Sequence, residues 1–472
     1  MPGRPSHPLG LGLATGVVYF GGALYWLVDT MVTYGGLSTP VAFGVAGLLV
    51  AYLSLFPAAF AWIMRTLVVA LGRPALLAAP AVWVATEMGR TYVWDGFPWA
   101  LLGTSQTTLL PIAQAASVVG VYGVSFVVVG GSVAAAYAVV GRGRARAAVP
   151  AAALAVVAAV ALWGRARLAD GSLTRVGDPV TVGVVQGNFS QDEKWNPAME
   201  RPIVDRYLRL TADAAARGAT FVLWPESAVP FYFRDSPAKA APIRAEARRL
   251  GLTILVGSDE FETAPADGSD PAVRLYNSAL LLRPDGEIGA TYRKVHLVPF
   301  GEYVPLKSLL FFAAPLVEAV SDFSPGQDAV VFDVSGHRSS TAICYEVIYP
   351  SLMRRFVLEG SELLTTITND AWFGRSSAAY QHFEQASMRA IEQGRYLVRA
   401  ANTGVSGVVD PYGRVLDRTP LFETAVLTRE VRFLDGRTIY SRLGDVAGYL
   451  SLALTGGALA AVWRQRAAAR RA

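Results

Sequence analysis

Hydrophobic and polar positions divide this chain into two unlike patterns. Residues 9–28 run for 20 positions without a charge, and residues 39–64 for 26. A third apolar stretch, 74–93, carries Glu87 and Arg90 only in its last turns. Residues 109–140 hold no charge, and their second half, 120–140, reads as a helix. Residues 147–164 add 18 more, and a sixth stretch covers 443–463. A hydrocarbon core of ~30 Å is crossed by roughly 20 helical residues. The pattern therefore predicts six membrane spans: about five in an N-terminal membrane domain over 1–168, and one in a C-terminal segment over 433–472. The first stretch exceeds a signal-peptide core, and no small-x-small site follows Leu27, so it reads as a retained anchor.

Between 178 and 432 the pattern changes to short apolar runs alternating with amphipathic ones, as in a folded α/β domain. Residues 180–185 form a strand ended by Gln186-Gly187-Asn188. Ile203, Tyr207, Leu210 and Ala214 then mark a helix that Gly218 closes. The strand 221–226 stops at Pro225 with the carboxylate of Glu226 beyond it. Strands follow at 252–256, 277–282 and 288–292, and Lys294 lies just past the last. Residues 339–343 are small and β-branched. Cys344 comes next, where Leu352, Met353, Phe356 and Val357 begin to recur at helical spacing. A strand at 362–367 leads into Asn369-Asp370-Ala371-Trp372, a helix is expected over 381–400, and a strand over 405–409. The apolar runs 231–233 and 309–316 read as exposed loops.

Composition sharpens the first pattern. A mean hydropathy of +0.35 with 17% charged residues is too apolar for an ordinary soluble domain of this length. The net charge of +5 does not call for nucleic acid, because much of the excess is arginine flanking the apolar stretches. Arg4, Arg65 and Arg73, Arg142 to Arg146, and Arg464 to Arg471 fall on one face if the spans alternate. That face is then cytoplasmic, with the 178–432 domain and the basic-poor loops outside. The loop 94–99, rich in Trp and Phe, suits an interfacial belt or a lipid-facing mouth. No zinc spacing, phosphate loop or dinucleotide fingerprint occurs, so no metal or cofactor is expected. A single Cys allows no intrachain disulfide.

Strand ends thus supply a carboxylate, an ammonium and a thiol in turn: Glu226, Lys294 and Cys344. Thiol chemistry on a carbonyl needs a group that takes and returns a proton, a positive or N–H donor for the oxyanion, and the sulfur itself. Lysine is scarce here, at positions 194, 239, 294 and 307 among 42 Lys and Arg. An ammonium following a strand is therefore informative. His296, His337 and His382 have no triad-like spacing and read as structural or surface residues.

Trp224-Pro225-Glu226-Ser227, the run from Tyr292 to Pro305 (YRKVHLVPFGEYVP) and Ile343-Cys344-Tyr345-Glu346 resemble the Glu, Lys and Cys motifs of the nitrilase, or carbon–nitrogen hydrolase, superfamily. Placed between membrane spans, and with 95–99, 120–126 and 440–445, they are similar to its membrane-anchored branch, the apolipoprotein N-acyltransferase family. The resemblance implies a polytopic α-helical membrane bundle plus an extracytoplasmic α/β domain of nitrilase type, an α-β-β-α sandwich, in the inner (cytoplasmic) membrane. It implies that Cys344 accepts the sn-1 acyl chain of a phospholipid acyl donor, phosphatidylethanolamine or phosphatidylglycerol, as a thioester. The chain then passes to the α-amine of a diacylated apolipoprotein acceptor. Glu226 would be the base, and Lys294 with the Tyr345 N–H would hold the oxyanion. Glu302, Tyr345 and Glu346 match supporting positions, Trp195 matches an aromatic near the substrate entrance, and Asn369 and Trp372 are candidates for substrate contact. No partner beyond membrane lipid and these substrates is expected, and the chain is expected to be a monomer. The family pattern has eight spans, two ahead of the first seen here, so either the start lies upstream or this member is short. Two other readings stay open: a membrane-anchored amidase or nitrilase that passes its acyl group to water, and a non-catalytic membrane scaffold or transporter.

Overall fold

A computed structural model describes residues 7–94, 96–194, 196–264, 272–299, 301–303 and 322–471. The chain forms two compact units, one of residues 1–32, 38–171 and 438–472, the other of 33–37 and 172–437.

The first unit is helical. Helix α1 (Pro8–Ala23) and helix α2 (Trp26–Thr33) meet at a 55° bend. Helix α3 is Thr39–Leu71, α4 is Ala79–Tyr92, α5 is Ala116–Val140 and α6 is Ala145–Asp170; Val446–Arg471 closes the unit. By length and composition four helices can cross a membrane, or five if the bent pair is one span.

The difference from six lies in the stretch 74–93. Pro74 and Pro80 each occupy a first-turn position, so the chain makes a 3₁₀ turn over Arg73–Ala78 and restarts as the 14-residue α4. The charges of that stretch are buried and bonded to backbone. Glu87 Oε1 accepts from Leu102 N at 2.7 Å, and Arg90 donates to the carbonyls of Phe97 at 2.8 Å and Trp99 at 2.7 Å. These contacts secure the aromatic loop that follows α4. In α5 the helix breaks at Gly120, where φ is +66°; a β-carbon there would meet the Tyr440 ring.

The second unit is a two-sheet sandwich. Its first sheet contains β1 (Pro179–Gln186), β2 (Phe221–Leu223), β3 (Thr253–Ala264), β4 (Ala272–Leu282) and β5 (Ile288–Arg293). The second contains β6 (Val331–Val334), β7 (His337–Ile343), β8 (Leu363–Thr368), β9 (Leu397–Ala401), β10 (Gly407–Val409) and β11 (Val415–Arg418). The last strand, β12 (Ala425–Arg432), returns to the first sheet, so the orders are β12-β1-β2-β3-β4-β5 and β11-β10-β9-β8-β7-β6. Each sheet has a parallel centre, β1-β2-β3 in one and β7-β8-β9 in the other, with antiparallel strands at its sides.

The sheets meet face to face and are cross-linked at one end. Ser406 donates to Gln186 Oε1 at 2.6 Å, and Asn188 N donates to the Asn402 carbonyl at 2.9 Å. Helix α7 (Glu200–Ala216) and helix α8 (Pro237–Leu250) bury Ile203, Tyr207, Ile243 and Ala247 against the first sheet. Helix α9 (Pro350–Leu358) and helix α10 (Ala378–Gln393) belong to the second half.

Two expectations need correction. The stretch 381–400 is not one helix. Gly394 turns left-handed at φ +61°, α10 stops, and Leu397–Ala401 enters the sheet parallel to β8. Most positions of both segments are buried, polar ones such as His382, Arg389, Glu392 and Arg399 included, so the placing of polar residues does not mark where a 3.6-residue period gives way to a 2-residue one. The run 231–233 is exposed only at Tyr232: Phe231 and Phe233 are buried in the core of the first half. The companion run 309–316 lies outside the described residues.

Candidate active site

The strand Phe221–Leu223 ends against its neighbour through Trp224, whose N–H donates to the Leu255 carbonyl at 2.8 Å. Its indole N–H donates to Thr211 at 2.9 Å, and its ring stacks on Tyr207. The next residues cross directly over Gly257. A side chain there would strike Pro225 and Glu226, so glycine permits the approach. Glu226 is thereby delivered, buried, to the inner side of the sandwich.

Both carboxylate oxygens of Glu226 are engaged, Oε2 by a single donor. Its Oε1 accepts from Asn277 Nδ2 at 2.7 Å and from Lys294 Nζ at 3.3 Å, and its Oε2 accepts from the main-chain N–H of Asn369 at 2.9 Å. Lys294 also donates to Glu302 Oε1 at 2.8 Å, and Asn277 Nδ2 donates to that same oxygen at 2.8 Å. Glu302 is itself held by the Val298 N–H at 2.8 Å. The unit is one ammonium and one amide shared between two carboxylates. Burial alone would push the Glu226 carboxyl up, but Lys294, Asn277 and Lys194 outweigh it and hold the pKa below the usual value. Burial would lower Lys294, yet Glu302, Glu226 and Cys344 raise it, so it stays an ammonium.

Cys344 approaches from the other sheet. It follows Ile343 at the end of β7 and opens a single 3₁₀ turn, Cys344–Ile348, ahead of α9. A helix was expected directly behind it. The turn intervenes because Pro350, with no N–H to give, starts the helix at its own first turn. Cys344 has φ +54°, a left-handed conformation rare for a side-chain-bearing residue. Burial and the Glu226 charge push its thiol well above the ordinary cysteine value, against Lys294 and the Thr368 hydroxyl. The resting pair is thus a carboxylate and a neutral thiol. Iodoacetamide alkylation of Cys344 between pH 7 and 9 is therefore expected to lack the inflection near ~8.5 of a free cysteine. A normal thiol titration in that range, followed by intact mass, would contradict this arrangement.

Glu346 ties the two halves together. Its Oε1 accepts from Tyr292 Oη at 2.7 Å, Val295 N at 2.6 Å and His296 N at 3.0 Å, while its Oε2 accepts from Ile343 N at 2.7 Å. One buried carboxylate thus joins the chain around Lys294 to the chain around Cys344. Burial pushes its pKa up to about 7, against the pull of these donors and Lys294. Glu346→Ala would strand two buried donors, Tyr292 Oη and Ile343 N, and two part-buried ones, Val295 N and His296 N, and a buried donor costs roughly 1–3 kcal/mol when orphaned. A loss of at least about 3 kcal/mol in thermal or denaturant unfolding is expected; stability within 1 kcal/mol of wild type would refute the tie.

Of the other expected residues, Tyr345 is buried against Tyr349 at 5.4 Å between ring centres. The Asn369 side chain is committed within the protein, donating to Gln191 Oε1 at 2.7 Å and accepting from Asn402 Nδ2 at 3.0 Å. Trp372 is 38% exposed, its ring edge-on to Tyr34 at 5.1 Å, and Tyr34 Oη donates to the Ala371 carbonyl at 2.9 Å. Trp195 lies outside the described residues. Asn277 and Lys194 were not anticipated. Lys194 is buried and donates to the main-chain carbonyl of Glu226 at 3.1 Å. Burial lowers its pKa to about 8 despite Glu226, Asp259 and Cys344. The scarcity of lysine was the signal for Lys194; Asn277 left none, since its strand looks like any other.

Residues 181–439 match the family model described as carbon–nitrogen hydrolase. The two-sheet fold agrees with that class, in which the 172–437 unit stands. Residues 4–134 match the model described as the apolipoprotein N-acyltransferase N-terminal domain. Among curated relatives, the apolipoprotein N-acyltransferase of Geobacter metallireducens is 41% identical, over 95% of this chain and 86% of that protein. The one from Methylococcus capsulatus is 36% identical, over 93% of this chain and 85% of that protein. The chain belongs to the apolipoprotein N-acyltransferase family. Among solved structures, the amidase from Nesterenkonia sp. AN1 is similar at 21% identity and a TM-score of 0.40, over 56% of this chain and 96% of that one.

Proposed function

We propose that this protein transfers an acyl chain from a phospholipid, through a thioester on Cys344, to the N-terminal amine of a diacylglyceryl-modified lipoprotein. The observation that carries the reading is the bonded set of Glu226, Lys294 and Glu302 beside the first sheet, with the buried Cys344 at the end of β7 in the second sheet under the charges of Glu226 and Lys294, in a chain of this family. In the first half-reaction the sulfur attacks the sn-1 ester carbonyl as Glu226 takes the thiol proton. Negative charge develops on the carbonyl oxygen, where Lys294 and the Tyr345 N–H stabilise it. Collapse expels the glycerol oxygen, which receives the proton from Glu226 and leaves as lysophospholipid. In the second half-reaction the lipoprotein α-amine attacks the thioester. Its proton passes to Glu226 and then to the departing sulfur, giving an amide and the free thiol. Two transfers through one intermediate predict ping-pong kinetics.

The apolar helices fit these substrates. Exposing an acyl chain to water costs ~0.8 kcal/mol per CH₂, so a site supplied from within a bilayer avoids extracting the donor. We place the helical segments 1–168 and 433–472 in the cytoplasmic membrane and the 178–432 domain on its outer side, on the strength of the arginine distribution. Intact-mass spectrometry of the protein in detergent with phosphatidylethanolamine or phosphatidylglycerol tests the reading. An acyl mass on Cys344 that persists in water and moves to a diacylated lipopeptide is expected. An adduct lost to water without reaching the peptide would indicate the hydrolase instead.

A further inference from the structure

We propose that His382 is a positioning residue for this acyl transfer: it holds the Cys344 carbonyl and so aims the N–H at the other end of the same peptide unit at the oxyanion. The inference rests on the acyl-transfer reading above and extends it to a residue outside the Glu–Lys–Cys set.

His382 sits in α10, fully buried, with Nε2 3.1 Å from the Cys344 carbonyl oxygen. A carbonyl only accepts, so Nε2 must carry the proton. The other ring nitrogen, Nδ1, lies 2.9 Å from Arg399 Nη2 and 3.1 Å from Asp370 Oδ1. Burial and the Arg399 charge lower the His382 pKa, so the ring is neutral and has one proton to place. With that proton on Nε2, Nδ1 accepts from Arg399, a group that can only donate. Asp370 does not need the imidazole proton. Its Oδ2 accepts from Arg399 at 2.9 Å and its Oδ1 from Thr368 at 2.9 Å. Burial would raise its pKa, but the Arg399 guanidinium foremost outweighs that and holds the carboxyl below its usual value. Gly404 packs so closely on this carboxylate that a β-carbon would overlap it. The buried Asp370–Arg399 pair therefore selects the tautomer that donates to Cys344.

The consequence follows from peptide geometry. The unit joining Cys344 to Tyr345 is planar, and its C=O and N–H point in opposite directions. Fixing the carbonyl on the α10 side turns the Tyr345 N–H the other way. Cys344 itself sits at φ +54°, a conformation that costs on the order of 1–3 kcal/mol and persists only when its surroundings hold it, and this hydrogen bond is one of those surroundings. His382 is not a base for the thiol in this arrangement, because Nε2 is committed to the carbonyl.

The test compares two reactions of the same sulfur in the full-length protein in detergent. Acylation by phosphatidylethanolamine passes through a tetrahedral oxyanion. Alkylation by iodoacetamide does not: sulfur bonds to carbon as iodide leaves. His382→Asn, too short to reach the carbonyl, is expected to slow acylation by about 10²-fold, the effect of losing one oxyanion donor. Its alkylation rate should stay within about threefold of wild type by the same reasoning. His382→Gln, whose side-chain amide reaches the place of Nε2, should keep acylation within roughly tenfold. Acylation unchanged in His382→Asn, or acylation and alkylation falling together, would overturn the proposal. Wild-type protein that alkylates but never acquires an acyl mass would instead overturn the acyl-transfer reading, and this proposal with it.

Discussion

Cys344→Ala is expected to abolish the acyl adduct and to reduce lipopeptide acylation by at least about 10⁴-fold, since removing a nucleophile from a coupled catalytic unit forfeits most of its rate enhancement. The argument is stronger here than for a typical cysteine because the chain contains no other thiol. Any adduct in the variant would have to lie on another group. Fold should be preserved: alanine removes one buried sulfur and leaves the Cys344 carbonyl for His382 and the Glu346 ties in place. Serine at this position is the sharper control. It retains a hydrogen-bonding group of similar size but a weaker nucleophile, so it should acylate far more slowly while unfolding like wild type. Full lipopeptide acylation by either variant would eliminate the thioester mechanism and return the scaffold reading.

The second large effect is expected from Lys294→Met. Lys294 is 1% exposed and is shared between Glu226 and Glu302. Removing it leaves the Oε1 atoms of both carboxylates on a single amide nitrogen of Asn277, with no cation between them. Deleting one member of a buried ionic cluster costs about 3–5 kcal/mol, a fall in Tm on the order of 10 °C for a domain of this size. The sign of its pH dependence is fixed. Without the ammonium, one carboxylate has a folded-state pKa above its unfolded value near ~4.3. Its protonation then favours the folded state, so the deficit relative to wild type narrows as pH falls through that raised pKa. Acylation should be lost at every pH, because the oxyanion has no cation. A variant as stable as wild type at pH 8 would mean that the two carboxylates do not depend on Lys294. Circular dichroism across pH 5–8 measures this directly.

Legibility differed from residue to residue. Glu226, Lys294 and Cys344 stood out because each follows an apolar strand, and a strand end is visible as a break in a local pattern. Glu346 was visible only through its motif. Its role, four bonds to donors on two separate segments, belongs to pairs up to 54 positions apart in sequence. Asn369 was a candidate for substrate contact from its motif; its side-chain bonds to Gln191 and Asn402, and the bond from its main-chain N–H to Glu226, come from the fold. No side-chain pattern can report a backbone donor. His382 looked like a surface or structural histidine, since nothing in its neighbours reveals that helix α10 carries it to the Cys344 carbonyl.

By itself the sequence determined the division into apolar helices and an α/β domain, most of the strands, and the three chemical groups. These depend on transfer free energies and on periodicity, which are properties of short windows. Tertiary structure decided whatever depends on which windows meet. It joined two separate sheets so that a carboxylate and ammonium from one face a thiol from the other. It cut the 381–400 run into a helix and a strand at Gly394, because the slot beside β8 was open to Leu397–Ala401. It also set the protonation of the site. Glu226 is held ionised and Cys344 neutral by burial and by charges far away in sequence, and no local composition carries that information.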